Sequence, residues 1–160
     1  MTLRTRTTRP SDRSRLIWYF LFLVYLAVLI YLIFDFTERG PAGAATGPVN
    51  LVFFQEIRRF WNALRGGYIT TTAMLNLFGN VLLFVPFGCL FPLITNRRLT
   101  GLKTAIAAVL TVSAIEVYQL ISKSGVFDVD DFLLNWLGVL LGWLLYKAVA
   151  ALALRLQKKD

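Results

Sequence analysis

The chain has 160 residues, 57% of them hydrophobic, and carries a formal net charge of +8 at pH 7. Soluble domains run to about 45–50% apolar even when glycine is counted, so this composition belongs to a protein solvated by lipid. One cysteine and no histidine argue against an internal disulfide framework, a zinc site or a His-based triad.

The positive charge is not distributed as on a nucleic-acid surface. Arg4, Arg6, Arg9, Arg13 and Arg15 crowd the start, Arg97, Arg98 and Lys103 form a second group, and Arg155, Lys158 and Lys159 close the chain. Each group abuts an apolar run, the pattern of topology signals and anionic-lipid contact. Membrane lipids are the expected partners, and nucleic acid is not.

In chain order, the first apolar run covers residues 16–34, long enough to cross a bilayer as a helix. Ala42-Gly43-Ala44 has the small residues of a cleavage site. The run nevertheless exceeds the about 7–15 residues of a signal-peptide core, and Asp35, Glu38 and Arg39 intervene, so an uncleaved anchor is expected. "GPAGAATGP" (40–48) reads as a flexible linker. Beyond it, Phe53, Ile57, Phe60, Trp61 and Leu64 recur at helical spacing, while Glu56, Arg58, Arg59, Asn62 and Arg65 fall mainly elsewhere. This predicts an amphipathic helix over about 50–65, capped by Asn50, stopped by Gly66-Gly67 and too charged to span. It either lies in the outer interface, with Arg58, Arg59, Arg65 and Trp61 against lipid head groups, or lids the bundle.

Further apolar runs cover 74–94, 102–121 and 132–152. Pro86 and Pro92 are expected to kink or end the first of these. Gly138 and Gly142 make a G-x-x-x-G step in the last, used for packing within the chain or as a homodimer seam. Basic flanks alternate between the ends of the runs, which the positive-inside rule converts to both termini inside. The expected fold is an all-α membrane protein: a four-span helical bundle, N-in/C-in, with one interfacial amphipathic helix in an extracytoplasmic loop. Residues 16–152 are expected to form the membrane domain, with 1–15 and 153–160 as basic cytoplasmic tails.

With that orientation the polar residues of three spans meet at one level. Asn76 and Asn80 are i,i+4 in the outer half of the second span, and Glu116 and Gln119 are i,i+3 in the outer half of the third. At about 1.5 Å per residue, Glu116 lies roughly 9 Å below the helix end at Ser122. Asp128, Asp131 and Asn135 head the fourth span on an i, i+3, i+7 stripe, with Asp130 off it as a cap or facing water. An ionised acid at mid-membrane depth costs about 2.5–3.5 kcal/mol on insertion scales, so Glu116 should face the bundle interior or a wet cavity. Polar contacts between spans account for each amide singly, but acids and amides gathered at one level point to a pocket. Its oxygens would suit a hard cation. A phosphate or sugar head group, gripped by amide donors with Arg58, Arg59, Arg65 or Lys123 above, uses more of the residues, and no metal or cofactor is assigned.

"LNLFGNVLLFVPFGCLFPL" (75–93), "AIEVYQ" (114–119) and "GVFDVDDFLLNWLGVLLGWLL" (125–145) together resemble the VanZ-like family of bacterial membrane proteins. Asn76, Gly79, Asn80, Pro86, Gly88, Glu116, Gln119, Asp128, Asp131, Asn135, Gly138 and Gly142 fall on its pattern. Many members carry an arginine shortly before the Phe-Asp step, where this chain has Gly125-Val126 and Lys123 as the nearest cation. The resemblance implies a multi-span protein of the bacterial cytoplasmic membrane associated with low-level teicoplanin resistance, and it supplies no settled reaction.

The reading that uses most of these features is a non-enzymatic pocket, with no catalytic residue assigned. It would bind a lipid-linked cell-wall precursor, an anionic lipid or a lipoglycopeptide through Asn76, Asn80, Glu116, Gln119, Asp128, Asp131 and Asn135. One rival is a membrane enzyme using Glu116 or Asp128 as general base, opposed by the missing histidine and nucleophile. Another is an assembly subunit whose polar residues only fix helix contacts.

Overall fold

A computed structural model describes residues 12–39, 49–68, 71–95, 100–122 and 127–158. The linker at 40–48, the pair Arg97 and Arg98, Lys123 and the Gly125-Val126 step lie outside them, as do residues 1–11 of the basic N-terminal stretch. Helix α1 (Asp12–Arg39) is followed by α2 (Gln55–Arg65), α3 (Thr71–Met74), a π turn (Leu75–Gly79) and α4 (Asn80–Ile94). Helices α5 (Thr100–Ser122) and α6 (Val129–Leu156) complete the chain, and a parallel bridge pairs β1 (Val49–Asn50) with β2 (Phe127–Asp128).

Four segments are long and apolar enough to cross a membrane: Arg15–Ile33, Leu75–Ile94, Thr100–Ile121 and Val129–Leu156. Their outward residues are apolar too, with Leu110 66% and Ile121 75% exposed. Water does not tolerate apolar surface on that scale, whereas lipid does. The chain is a multi-pass helical membrane protein.

The tightest packing joins α4 to α6, and glycine is the reason. A Cβ on Gly138 would stand 2.1 Å from the Val81 carbonyl oxygen, one on Gly142 2.0 Å from that of Val85, and one on Gly88 2.0 Å from that of Val139. Only hydrogen fits at these three positions, so the backbones meet directly. The G-x-x-x-G step thus packs within the chain. Cys89, beside the seam, donates its thiol to the Gly142 carbonyl at 3.2 Å.

Pro86 and Pro92 lie inside α4 rather than ending it. Phe87 and Phe91 stack at 5.4 Å, and Phe22 of α1 meets both edge-on at 5.6 and 5.8 Å. Tyr25 donates its hydroxyl to the Leu83 carbonyl at 2.9 Å, fixing α1 to α4. On α5 the buried residues Thr104, Ala108, Val112 and Glu116 recur every fourth position. Glu116 therefore belongs to the packed face of its helix, as its apolar context demands.

Candidate functional site

Above the glycine seam, the helix faces that carry the packing turn polar. Asn80 precedes Phe84 by one turn on α4, Asn135 precedes Gly138 on α6, and Glu116 continues the buried stripe of α5. Because the glycines hold α4 and α6 together, the Asn80 side-chain amide donates to Asp131 Oδ1 across the seam. Asn80, Glu116, Gln119, Asp131 and Asn135, with Ile33, Leu83, Phe84 and Ile115, line a cavity of about 40 Å³. At about 10–15 Å³ per water centre it has room for roughly three water-sized groups.

One atom in this cavity is unmatched. Asn135 is only 4% exposed, and its Oδ1 has no hydrogen-bond partner among the described residues. An unpaired buried acceptor costs about 1–3 kcal/mol of lost hydration, so a donor brought to this position would be stabilising.

A second polar group lies beside the cavity and fixes α2. Asp128, in extended conformation, caps α6 by accepting from the Asp130 amide at 2.8 Å. Its other oxygen accepts from the Asn50 side chain at 2.8 Å, and its own amide donates to Glu116 Oε2 at 3.4 Å. Asp130, 2% exposed, does not serve its own helix. Its two oxygens accept from the backbone amides of Phe54 at 2.6 Å and Glu56 at 2.8 Å, so α6 supplies the cap of α2. Glu56, also buried, pairs with Arg59 at 2.5 Å and accepts from the Asn76 amide at 3.5 Å. Phe60 closes the contact edge-on against Phe78 at 5.6 Å.

Two expectations about α2 are corrected here. The helix begins at Gln55 rather than near residue 50, and Asn50 is not its cap. Asn50 is taken up by the β1–β2 bridge and by Asp128, and Phe54 occupies the cap position at a left-handed φ of 62°. The donor-rich turn is satisfied by a carboxylate 74 residues further along the chain. Asp130 therefore caps, but a neighbouring helix, and it is buried rather than facing water.

Of the residues expected to form a pocket, Asn80, Glu116, Gln119, Asp131 and Asn135 share the cavity, while Asp128 and Asn76 hold α2 and its approach. Asn76 and Asn80 part company because the π turn between them adds a residue to the helical repeat and turns its two sides out of register. Arg58, Arg59, Arg65 and Trp61 are all exposed on α2; Arg65 lies 5.2 Å over the Trp61 ring, and Arg58 donates to the Phe53 carbonyl at 3.1 Å. Glu56 and Asn50 were not singled out from sequence as members of this cluster, and Asp130 was read as a cap or water-facing acid rather than as the anchor of α2. An Asp in the first turn of α6 is already accounted for by the helix dipole, and nothing local to Glu56 marks it as buried. Among the described residues, no three acidic or cysteine side chains are grouped to hold a metal ion.

The family model described as VanZ/LLP1 matches residues 22–152. The chain belongs to the VanZ/LLP1 family. The matched stretch takes in most of α1 and all of α2 to α5, so both the VanZ/LLP1 cavity and the α2 attachment lie inside it. No curated protein and no solved structure matches the chain.

Proposed function

We propose that this VanZ/LLP1 protein is a non-enzymatic binding protein of the bacterial cell envelope. It takes the polar end of an amphiphile into the Asn80–Glu116–Asp131–Asn135 cavity. The observation that carries this reading is the unpartnered Asn135 Oδ1 inside a cavity walled by carboxylates and amides.

Such a wall favours ligand donors. The buried acids Glu56, Glu116, Asp128 and Asp130 stand close by, and among the described residues Arg59 is the cation paired with them. Phosphate would be repelled at this depth, whereas an ammonium or hydroxyl group would not. The size of the cavity admits the tip of a head group, not a whole sugar. A lipid-linked cell-wall precursor or a lipoglycopeptide offers hydroxyls and amines of that kind. An anionic lipid head would instead meet the exposed Arg58 and Arg65 of α2.

The positive-inside rule supports cytoplasmic ends, because α6 runs into Arg155 and Lys158 at its C-terminal end. The cavity then faces the outer leaflet, where such ligands reside. Withholding them from an antibiotic, or holding the antibiotic itself, would give low-level teicoplanin-type resistance. The test compares Asp131→Asn and Asn135→Leu variants with the native protein at equal membrane abundance. Mass spectrometry of co-purified lipids and teicoplanin susceptibility are the readouts, and both should change. Unchanged retention and unchanged susceptibility in both variants would refute the reading.

A further inference from the structure

Next to the polar cavity lies an apolar one of about 380 Å³, between α1 and α4. Its walls include Val28, Leu32, Gly79, Leu82, Leu83 and Pro86. Leu83 lines both cavities, and Ile33 of the polar cavity follows Leu32 of the apolar one directly in sequence. The two are therefore adjoining chambers. The first carries carboxylates and amides in its wall, and the second is walled by apolar side chains and Tyr25.

The lining and position point to one kind of occupant. From Gly79 to Pro86, at about 1.5 Å per residue, the groove runs roughly 10 Å along the helix axis, and its lining is apolar. An apolar slot that abuts a polar cavity suits an extended alkyl chain with a polar end. Val28 and Leu82 at its rim are 49% and 65% exposed, and both walls belong to membrane-spanning segments, so the opening faces lipid. Gly79 borders open space, since a Cβ built there meets nothing within 4 Å. The volume lies within the about 300–1,000 Å³ of small-molecule sites.

We propose that this α1–α4 groove is an acyl-chain site continuous with the polar cavity, so that the ligand is an alkyl amphiphile whose donor-bearing head reaches Asn135. The proposal rests on the head-group reading above and adds the place and chemistry of the tail. Binding then requires both chambers, and an isolated head or a bulk lipid lacking the matching tip is held less well.

The probe is hexadecylamine carrying a diazirine at mid-chain, photolysed with the full-length protein in phosphatidylcholine nanodiscs and mapped by peptide mass spectrometry. Labelling should concentrate on residues 28–32 and 79–86, at least about fivefold over the lipid-facing Leu144 and Val149 of α6, and excess unlabelled hexadecylamine should compete it away. Gly79→Phe, which fills the groove, should abolish the competed fraction, and Gly79→Ala should keep it. Labelling that excess amine does not compete, and that equals labelling on α6, means annular lipid only and overturns the groove; this arm uses the native protein and does not depend on a variant folding. Butylamine, a head without a tail, separates the two readings through amide hydrogen exchange around Asn135. Protection by butylamine alongside annular-only labelling overturns the groove and keeps the head site. Competed groove labelling that is indifferent to Asn135→Leu, with no butylamine protection, overturns the head site and keeps the groove.

Discussion

Replacing Gly142 by alanine tests the packing on which the site depends. The added carbon would stand 2.0 Å from the Val85 carbonyl oxygen and 3.0 Å from the Cys89 amide nitrogen, where ordinary contact begins at 3.4 Å. Both obstructing atoms are backbone, so no side chain can swing aside. The helices must separate by roughly 1.4 Å at this point, a distance over which close-packed contacts forfeit much of their attraction. Overpacking of this kind costs about 1–3 kcal/mol, which for a chain of this size lowers Tm by roughly 2–12 °C. Two measurements read the change: thermal unfolding in micelles, and alkylation of Cys89, whose thiol is held against the Gly142 carbonyl. The chain has one cysteine, so the alkylation signal is unambiguous and should accelerate. Gly79→Ala is the control, since its Cβ meets nothing within 4 Å; it should leave Tm unchanged or raised. An unchanged Tm and unchanged alkylation in Gly142→Ala would refute the claim that α4 and α6 touch backbone to backbone.

Other substitutions probe the attachment of α2 and the cavity. Asp130→Ala removes the acceptor for the Phe54 and Glu56 amides; it should weaken α2 by about 0.5–2 kcal/mol, seen as faster hydrogen exchange across Gln55–Arg65. A left-handed backbone on an aromatic residue costs on the order of 1–3 kcal/mol. Phe54→Gly should therefore slow exchange in α2 although it deletes a ring, and Phe54→Ala, which keeps the strain, should not. The Asn80–Asp131 pair should give a coupling of about 0.6–2 kcal/mol in a double-mutant cycle of Asn80→Leu and Asp131→Leu, measured by unfolding in micelles. Zero coupling would mean the two side chains do not interact.

Apolar run length is a nearly sufficient signal for a spanning helix, so the four crossings were legible in the sequence, with ends displaced by only a few residues. Glu116 was legible for a related reason: an acid in the middle of a span has almost nowhere to face but inward. Helical spacing also put Asn80, Gln119, Asp131 and Asn135 at one level, and in the structure they line one cavity. It failed where the repeat itself changes. The π turn at Leu75–Gly79 leaves no mark in residue type, and the i,i+4 argument sent Asn76 to the wrong neighbours. The long-range partners of Asp130 and Asn50 were missed on a different ground. Each of the two residues has a satisfactory local use, as an N-terminal acid or a cap, and the long-range partner that displaces it depends on how the finished helices stand. The apolar groove was hidden for the same reason, because a gap between α1 and α4 is a property of their packing and not of either run.

The capping of α2 from α6 has a consequence for biosynthesis. A ribosome releases the Glu56 amide 74 residues before it makes the carboxylate that will receive it. At about 5–20 residues per second, that leaves the first turn of α2 unfinished for roughly 4–15 s while two further spans enter the bilayer. The short helix α2 is thus completed only by the fourth of the apolar helices, and a nascent chain truncated before that point would present α2 with its opening amides uncapped.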